Sequence, residues 1–168
     1  MVPVEMLRQG PALAELPDRR LRTVARASEQ ESYPAGASIP LTRDRLYLLL
    51  EGEITLEVHL CQGVRCGGQA SLVVHRPGHL FGWQNIVKEE WLQLKMVCQR
   101  PTRVVAINLA RLKSSETGLL LIKEAAGCLY ALLQDTGLCP RNMTDRVLLG
   151  AQRCQWMDAE AEKERVPE

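Results

Sequence analysis

Apolar positions along this chain change their period twice. Between Pro11 and Ala27, Leu13, Leu16, Leu21 and Val24 recur at roughly helical intervals, with Arg19, Arg20, Arg22 and Arg26 largely on the other face. This predicts a first helix over 11–27 with a solvated arginine face. Pro17 suits a first turn better than an interior, so the regular helix is expected to begin there. From Glu31 to Leu109 the signals are those of strands and turns. Tyr33-Pro34-Ala35-Gly36 reads as a turn, and Leu46–Leu50 is an unbroken apolar run expected to be a buried strand. Glu51-Gly52-Glu53 breaks it. Ile54, Leu56 and Val58 then alternate with Glu53, Thr55 and Glu57, the period of a half-exposed strand. Leu72–Val74 is a further strand. Leu92, Leu94, Met96 and Cys98 alternate with Gln93, Lys95, Val97 and Gln99, and Val104–Leu109 closes the series. Short strands at roughly 8–12-residue intervals with glycine turns between them predict a small antiparallel barrel or jelly roll.

After Arg111 the period becomes helical again. Ser114 or Ser115 is a suitable N-cap, and Glu116 is favourable in the first turn of a helix. Leu119, Ile122, Ala126, Leu129 and Leu133 follow the 3-4-3-4 spacing of a coiled-coil seam, while Leu120, Leu121, Ala125 and Leu132 lie off it. A helix apolar on so much of its circumference must be covered on more than one side. The barrel supplies one cover. Little chain follows, so a second copy is expected to supply the other, making a homodimer. Gly137 and Pro140 end the helix, 142–157 reads as a further short helix, and the acidic stretch 158–168 is expected to be disordered. The organisation is thus an N-terminal helical segment (1–30), a β-barrel (31–111), C-terminal helices (112–157) and a tail (158–168). The fold class is mainly β: a small antiparallel jelly-roll barrel flanked by an N-terminal helix and a long C-terminal dimerisation helix.

Composition narrows the function. The 168 residues suit one domain, and 46% apolar content fills a real core. A net charge of +1 gives no global field for nucleic acid or for a strongly basic partner. No uninterrupted apolar run reaches the length of a membrane span, and residues 1–8 lack the pattern of a secretory signal, so a cytoplasmic location is expected. Of the six cysteines, Cys61 and Cys66 lie among Gly63, Gly67 and Gly68 and read as reduced thiols in a hairpin loop. His59, His75 and His79 contain no His-x-His pair, His75 and His79 read as exposed turn residues, and no metal is expected. Nucleophile elbow, phosphate loop and paired-carboxylate motifs are missing from the sequence, so no enzyme is expected.

The most informative motif is Pro77-Gly78-His79-Leu80-Phe81-Gly82-Trp83, a Pro-Gly-x-x-Phe-Gly frame directly after a strand. Two glycines around an aromatic mark backbone that turns tightly or sits close to something. The residue after the second glycine, Trp83, is then aimed into the enclosed cavity. With Tyr33-Pro34-Ala35-Gly36, Leu46-Tyr47, Glu51-Gly52-Glu53-Ile54 and Val104-Val105-Ala106-Ile107 in the same order, the chain resembles the cyclic-nucleotide-binding domain superfamily over about Leu13 to Leu133. It resembles there the sensor half of catabolite-activator and fumarate-nitrate-reduction type regulators. In nucleotide-binding members the Phe-Gly pair precedes a glutamate that holds the ribose 2′-hydroxyl. About ten residues later an Arg-Ser/Ala pair neutralises the cyclic phosphate, an anion too costly to bury unpaired. Here those positions carry Trp83, Leu92 and Gln93.

The resemblance therefore implies a degenerate pocket of Gly78, Phe81, Gly82, Trp83, Leu92 and Gln93 that recognises neither cyclic AMP nor cyclic GMP. Gln93 and Lys95 share a strand face and offer only a shifted phosphate contact. Thr144–Leu149 resembles the short helix that opens the DNA-binding half of these regulators, but about 20 residues follow where a winged helix needs about 60, so no direct nucleic-acid contact is expected. The expected function is a stand-alone regulatory module without cofactor, dimerising through its long helix and acting through another small-molecule effector or a protein partner. The alternative is a haem- or thiol-based redox sensor on the same fold, with His75, His79, Cys61 and Cys98 as the candidate haem ligands. A cupin-like metalloenzyme is the third reading.

Overall fold

The computed structural model describes residues 2–40, 42, 44–62, 65–82, 92–112 and 116–135. The N-terminal segment forms three short helices, α1 (Val4–Leu7), α2 (Pro11–Ala14) and α3 (Asp18–Arg26); the last two occupy the stretch 11–27 where the apolar spacing predicts one. Proline accounts for the difference. Pro11 enters α2 in its first turn, and Pro17, at φ −57° and ψ 145°, stands outside the helix and starts α3. A proline donates no N–H and pushes the residue before it out of helical backbone, so a continuous helix cannot pass through position 17. Leu7, Leu13, Leu16, Leu21 and Val24 are nevertheless all buried. The arginine face is solvated as expected: Arg19, Arg20, Arg22 and Arg26 are all exposed, and Arg20 makes a surface ion pair with Glu116.

Two four-stranded antiparallel sheets follow. The strands are β1 (Ser28–Tyr33), β2 (Ser38–Ile39), β3 (Arg45–Glu51), β4 (Ile54–Gln62), β5 (Arg65–Val74), β6 (Leu80–Phe81), β7 (Leu92–Cys98) and β8 (Thr102–Asn108). One sheet has the order β1-β8-β3-β6, the other β2-β7-β4-β5. β1 starts at Ser28, ahead of the boundary drawn at residue 31. β3 and β8 are the inner strands of the first sheet, and Leu46–Leu50 and Val104–Ile107 are buried without interruption. A strand covered on both faces loses its alternation. Strands β4 and β7 keep theirs: Ile54, Leu56, Met96 and Cys98 are buried, whereas Thr55, Glu57 and Val97 are half-buried and Lys95 is exposed. Their outward residues pair across the ladder, as where Lys95 meets its register partner Glu57 at 3.5 Å. Cys61 and Cys66 are register partners at the end of the β4–β5 ladder, so the loop expected for them is narrower and both belong to strands.

The first sheet ends in a 3-10 turn, Leu109–Arg111, where the Asn108 side chain accepts from the Arg111 N–H at 3.4 Å. Helix α4 (Glu116–Asp135) then packs along β6. Thr117, Leu121 and Ala125 are its buried side chains, while Leu119 and Ile122 of the predicted seam are half-buried. The side chains of Ala126, Leu129 and Leu133, the short helix read over 142–157 and the tail lie outside the described residues. Among the described residues no helix is long and apolar enough to cross a membrane.

Candidate functional site

The Pro-Gly-x-x-Phe-Gly frame is built by close approach at both glycines. The Gly78 N–H donates to the Leu49 carbonyl at 2.7 Å, and the Leu49 N–H donates to the His79 carbonyl at 3.0 Å. These bonds extend the β6–β3 ladder, in which Phe81 faces Tyr47 and Leu80 faces Leu48. Gly78 has φ +87°, and a Cβ there would lie 2.1 Å from the Gln9 carbonyl oxygen. Gly82 has φ +92°, and a Cβ there would lie 2.9 Å from Cδ2 of Tyr47. Left-handed backbone and contact with a neighbour both exclude a side chain at these positions. Between them Phe81 stacks on Tyr47, with ring centroids 5.4 Å apart and planes 19° apart. The Tyr47 hydroxyl donates to the Pro40 carbonyl at 2.9 Å, which satisfies the one polar atom of this aromatic pair.

A cleft of about 590 Å³ opens beside this frame, between β5, the turn at 75–79 and α4. Ser71, Val73, His75, Arg76 and His79 form one wall. Glu124, Gly127, Cys128 and Ala131 form the other. His79 is half-buried, and its buried Nδ1 has no hydrogen-bond partner among the described residues. Burial pushes its pKa below the usual imidazole value, and the charge of Arg76 and the neighbouring His75 push the same way. Burial raises the Cys128 thiol, the Leu80 backbone partly offsets this, and Glu124 adds to the rise. Gly127 sits inside α4, yet a Cβ there would meet nothing within 4 Å. A glycine in a helix interior costs about 1 kcal/mol relative to alanine, and packing does not require this one. The expectation of exposed turn histidines holds for His75 and is corrected for His79, which is half-buried because the turn folds the chain back so that residues at both its ends border one cleft. Among the described residues no three His, Cys, Asp or Glu groups are placed to hold a metal ion.

Solved structures share this architecture. A candidate cyclic-nucleotide-binding protein from Geobacter metallireducens is 30% identical over 79% of this chain and 99% of that one, with a TM-score of 0.60. This chain belongs to the cyclic-nucleotide-binding domain superfamily. Two structures at lower identity share the fold. The N-terminal domain of a transcriptional regulator from Streptomyces coelicolor is 20% identical over 80% of this chain and 96% of that one, with a TM-score of 0.52. The regulatory subunit of a cAMP-independent protein kinase A from Trypanosoma cruzi, bound to guanosine, is 16% identical over 80% of this chain, with a TM-score of 0.57; the match spans 48% of that subunit. No family model matches the sequence, and no curated protein does.

Within this cyclic-nucleotide-binding domain the predicted site residues fall on two sheets. Gly78, Phe81 and Gly82 come together around the short strand β6. Leu92 and Gln93 open β7 in the other sheet, where they pair with Leu60 and His59. Trp83 lies outside the described residues. The cleft residues Arg76, Glu124, Gly127 and Cys128 escaped the sequence reading. The one available signal was a glycine in the middle of an otherwise strong apolar helix.

Proposed function

We propose that this chain is a non-enzymatic sensor module of the superfamily that has given up cyclic-nucleotide recognition, dimerises through α4 and responds to another small molecule or a protein partner. The observation that carries this is an intact frame followed by the wrong chemistry for a cyclic phosphate. The Gly78–Gly82 turn keeps the Pro-Gly-x-x-Phe-Gly frame, and the next residue, Trp83, stands where nucleotide-binding members carry an acceptor, with a side chain that can only donate. Leu92, at the arginine position, offers no cation, and a phosphate buried without one loses several kcal/mol of solvation. Output would run through α4: a ligand that shifts the barrel against this helix changes the helix register between subunits. A net charge of +1 gives no broad basic field, in keeping with a module that acts without touching nucleic acid directly. The haem or thiol alternative draws no support from Cys98, whose buried thiol has its pKa raised.

Calorimetric titration of the full chain with cyclic AMP and cyclic GMP tests the loss of recognition. The expected outcome is no saturable heat up to millimolar ligand, and micromolar binding of either nucleotide overturns the reading.

A further inference from the structure

Strand β4 outruns one of its neighbours. Its ladder with β7 stops at Leu60, paired with Leu92, while its ladder with β5 continues through Cys61 and Cys66 to Gln62 and Arg65. Those last two pairs form a two-stranded ribbon with no third strand among the described residues. Such a ribbon is marginal in water. The register also shifts between Leu60, which pairs with Gly68, and Cys61, which pairs with Cys66, so Gly67 is left between the two partners. Glycine-rich strands hold their register weakly. We propose that Cys61 and Cys66, opposite each other at the end of this ladder, are a reversible disulfide site that fastens the ribbon beyond the shift. The backbone suits the bond. Two residues separate Gln62 from its register partner Arg65, which makes that pair the hydrogen-bonded one that closes the hairpin. Pairs alternate in kind along an antiparallel ladder, so Cys61 and Cys66 are a non-hydrogen-bonded pair. In that kind the Cα atoms lie about 4.5 Å apart, inside the span of about 4.4–6.8 Å that a disulfide bridges. The other described cysteines are elsewhere. Cys98 is buried and pairs with Ile54, seven residues back along β4 from Cys61, roughly 24 Å at the rise of a strand. Cys128 is on α4, beside the Leu80 backbone of the other sheet. The bond encloses only residues 61–66, and so short a loop restricts the unfolded chain less than a long one. A disulfide that adds little to folding gains little from it, so thiol exchange sets its state.

The oxidant is a small-molecule disulfide, for which oxidised glutathione is the probe. One cysteine thiolate attacks it and releases one reduced glutathione, and the second cysteine thiolate displaces the other from the mixed disulfide. The glutathione S–S bond breaks and the Cys61–Cys66 bond forms. Two electrons pass to glutathione, and the two protons lost by the cysteines end on its two thiols. The full chain is equilibrated in glutathione buffers, quenched by alkylation and digested with trypsin without reduction. Trypsin cuts after Arg65, between the two cysteines, so the bond appears as peptide 46–65 joined to peptide 66–88. This joined pair should rise with oxidised glutathione as alkylation of Cys61 and Cys66 falls together, and reduced glutathione should reverse both changes. The ratio of disulfide to dithiol should be roughly tenfold higher in the folded chain than in concentrated urea, because the register gives a higher effective concentration than a flexible linker. Cys61→Ser should leave Cys66 as a mixed disulfide with glutathione, and Cys66→Ser should do the same for Cys61. Hydrogen exchange over 58–62 and 65–70 should slow several-fold in the oxidised chain. Thiols that stay open to alkylation, separate mixed disulfides at both positions of the wild type, or equal ratios in the folded chain and in urea overturn the proposal. So does a bond that reduced glutathione cannot open in the folded chain, or exchange that oxidation leaves unchanged. None of these readouts depends on what the cassette at positions 83, 92 and 93 binds.

Discussion

Gly78 is constrained twice over, by a left-handed backbone and by the Gln9 carbonyl, 2.1 Å from where a Cβ would sit. The first constraint alone costs a non-glycine residue about 1–2 kcal/mol. The second forces backbone apart, because Gln9 and Gly10 join α1 to α2 and cannot swing away as a side-chain tip would. Gly78→Ala is therefore expected to lose more than about 2 kcal/mol of stability, measured by urea denaturation. A loss below 1 kcal/mol would show that the N-terminal helices yield freely. Next to it, His79 makes a pH prediction. Its folded pKa lies below the ordinary value of 6.5, through burial first and then the positive charge of Arg76 and His75. Glu124 and Cys128 border the same cleft from α4. Well above 6.5 the ring is neutral in both folded and unfolded chains and has no effect. As pH falls through that value the unfolded chain takes the proton first, so stability is lost until the folded pKa is passed. His79→Asn should lose less stability than wild type between pH 7.5 and pH 5, and parallel losses would show that another group dominates. Sequence alone marked Gly78, Gly82 and Phe81 because glycine and aromatic types carry their conformational demands with them. It mistook His79 for an exposed residue because burial of an imidazole depends on what the turn folds against.

At the scale of elements, legibility followed length and periodicity. Leu46–Leu50 and Val104–Ile107 read as strands because β3 and β8 are covered on both faces and need apolar residues at every position. The β4 and β7 alternation is equally plain because the outer face of that sheet carries charged pairs such as Glu57 and Lys95. Strands β2 and β6 have two residues each and no pattern to display; their partners β7 and β3 define them. The apolar stripe read over 11–27 spans two helices, α2 and α3, because their leucines serve one core, while Pro17, which divides them, acts on the backbone. In α4, Leu121 and Ala125, which lie off the heptad seam, are the positions buried in the core shared with the barrel. Leu119 and Ile122, on the seam, stay half-buried. A helix with a second apolar face on this scale has more to bury than one barrel edge takes from it.

For the whole molecule, that second face makes assembly the measurable quantity. If the seam joins two copies, a charge placed in it must be desolvated at the interface, which is prohibitive without a partner ion. Leu129→Lys is expected to sediment as a folded monomer where the wild type sediments as a dimer, and an unchanged dimer removes the seam. By itself the sequence determined the longer strands and the long helix α4 and their order, since apolar period and turn residues are local properties of the chain. It also determined what the cassette lacks, because Trp83 cannot accept a hydrogen bond and Leu92 cannot carry a charge wherever they are placed. Only the tertiary structure decided that the Pro-Gly turn is clamped by the N-terminal helices and Tyr47, that α4 turns Leu121 inward, and that His79, Arg76, Glu124 and Gly127 border one cleft. Those are relations between segments roughly 35 to 70 residues apart, set by how the sheets and helices dock, and no local pattern encodes them.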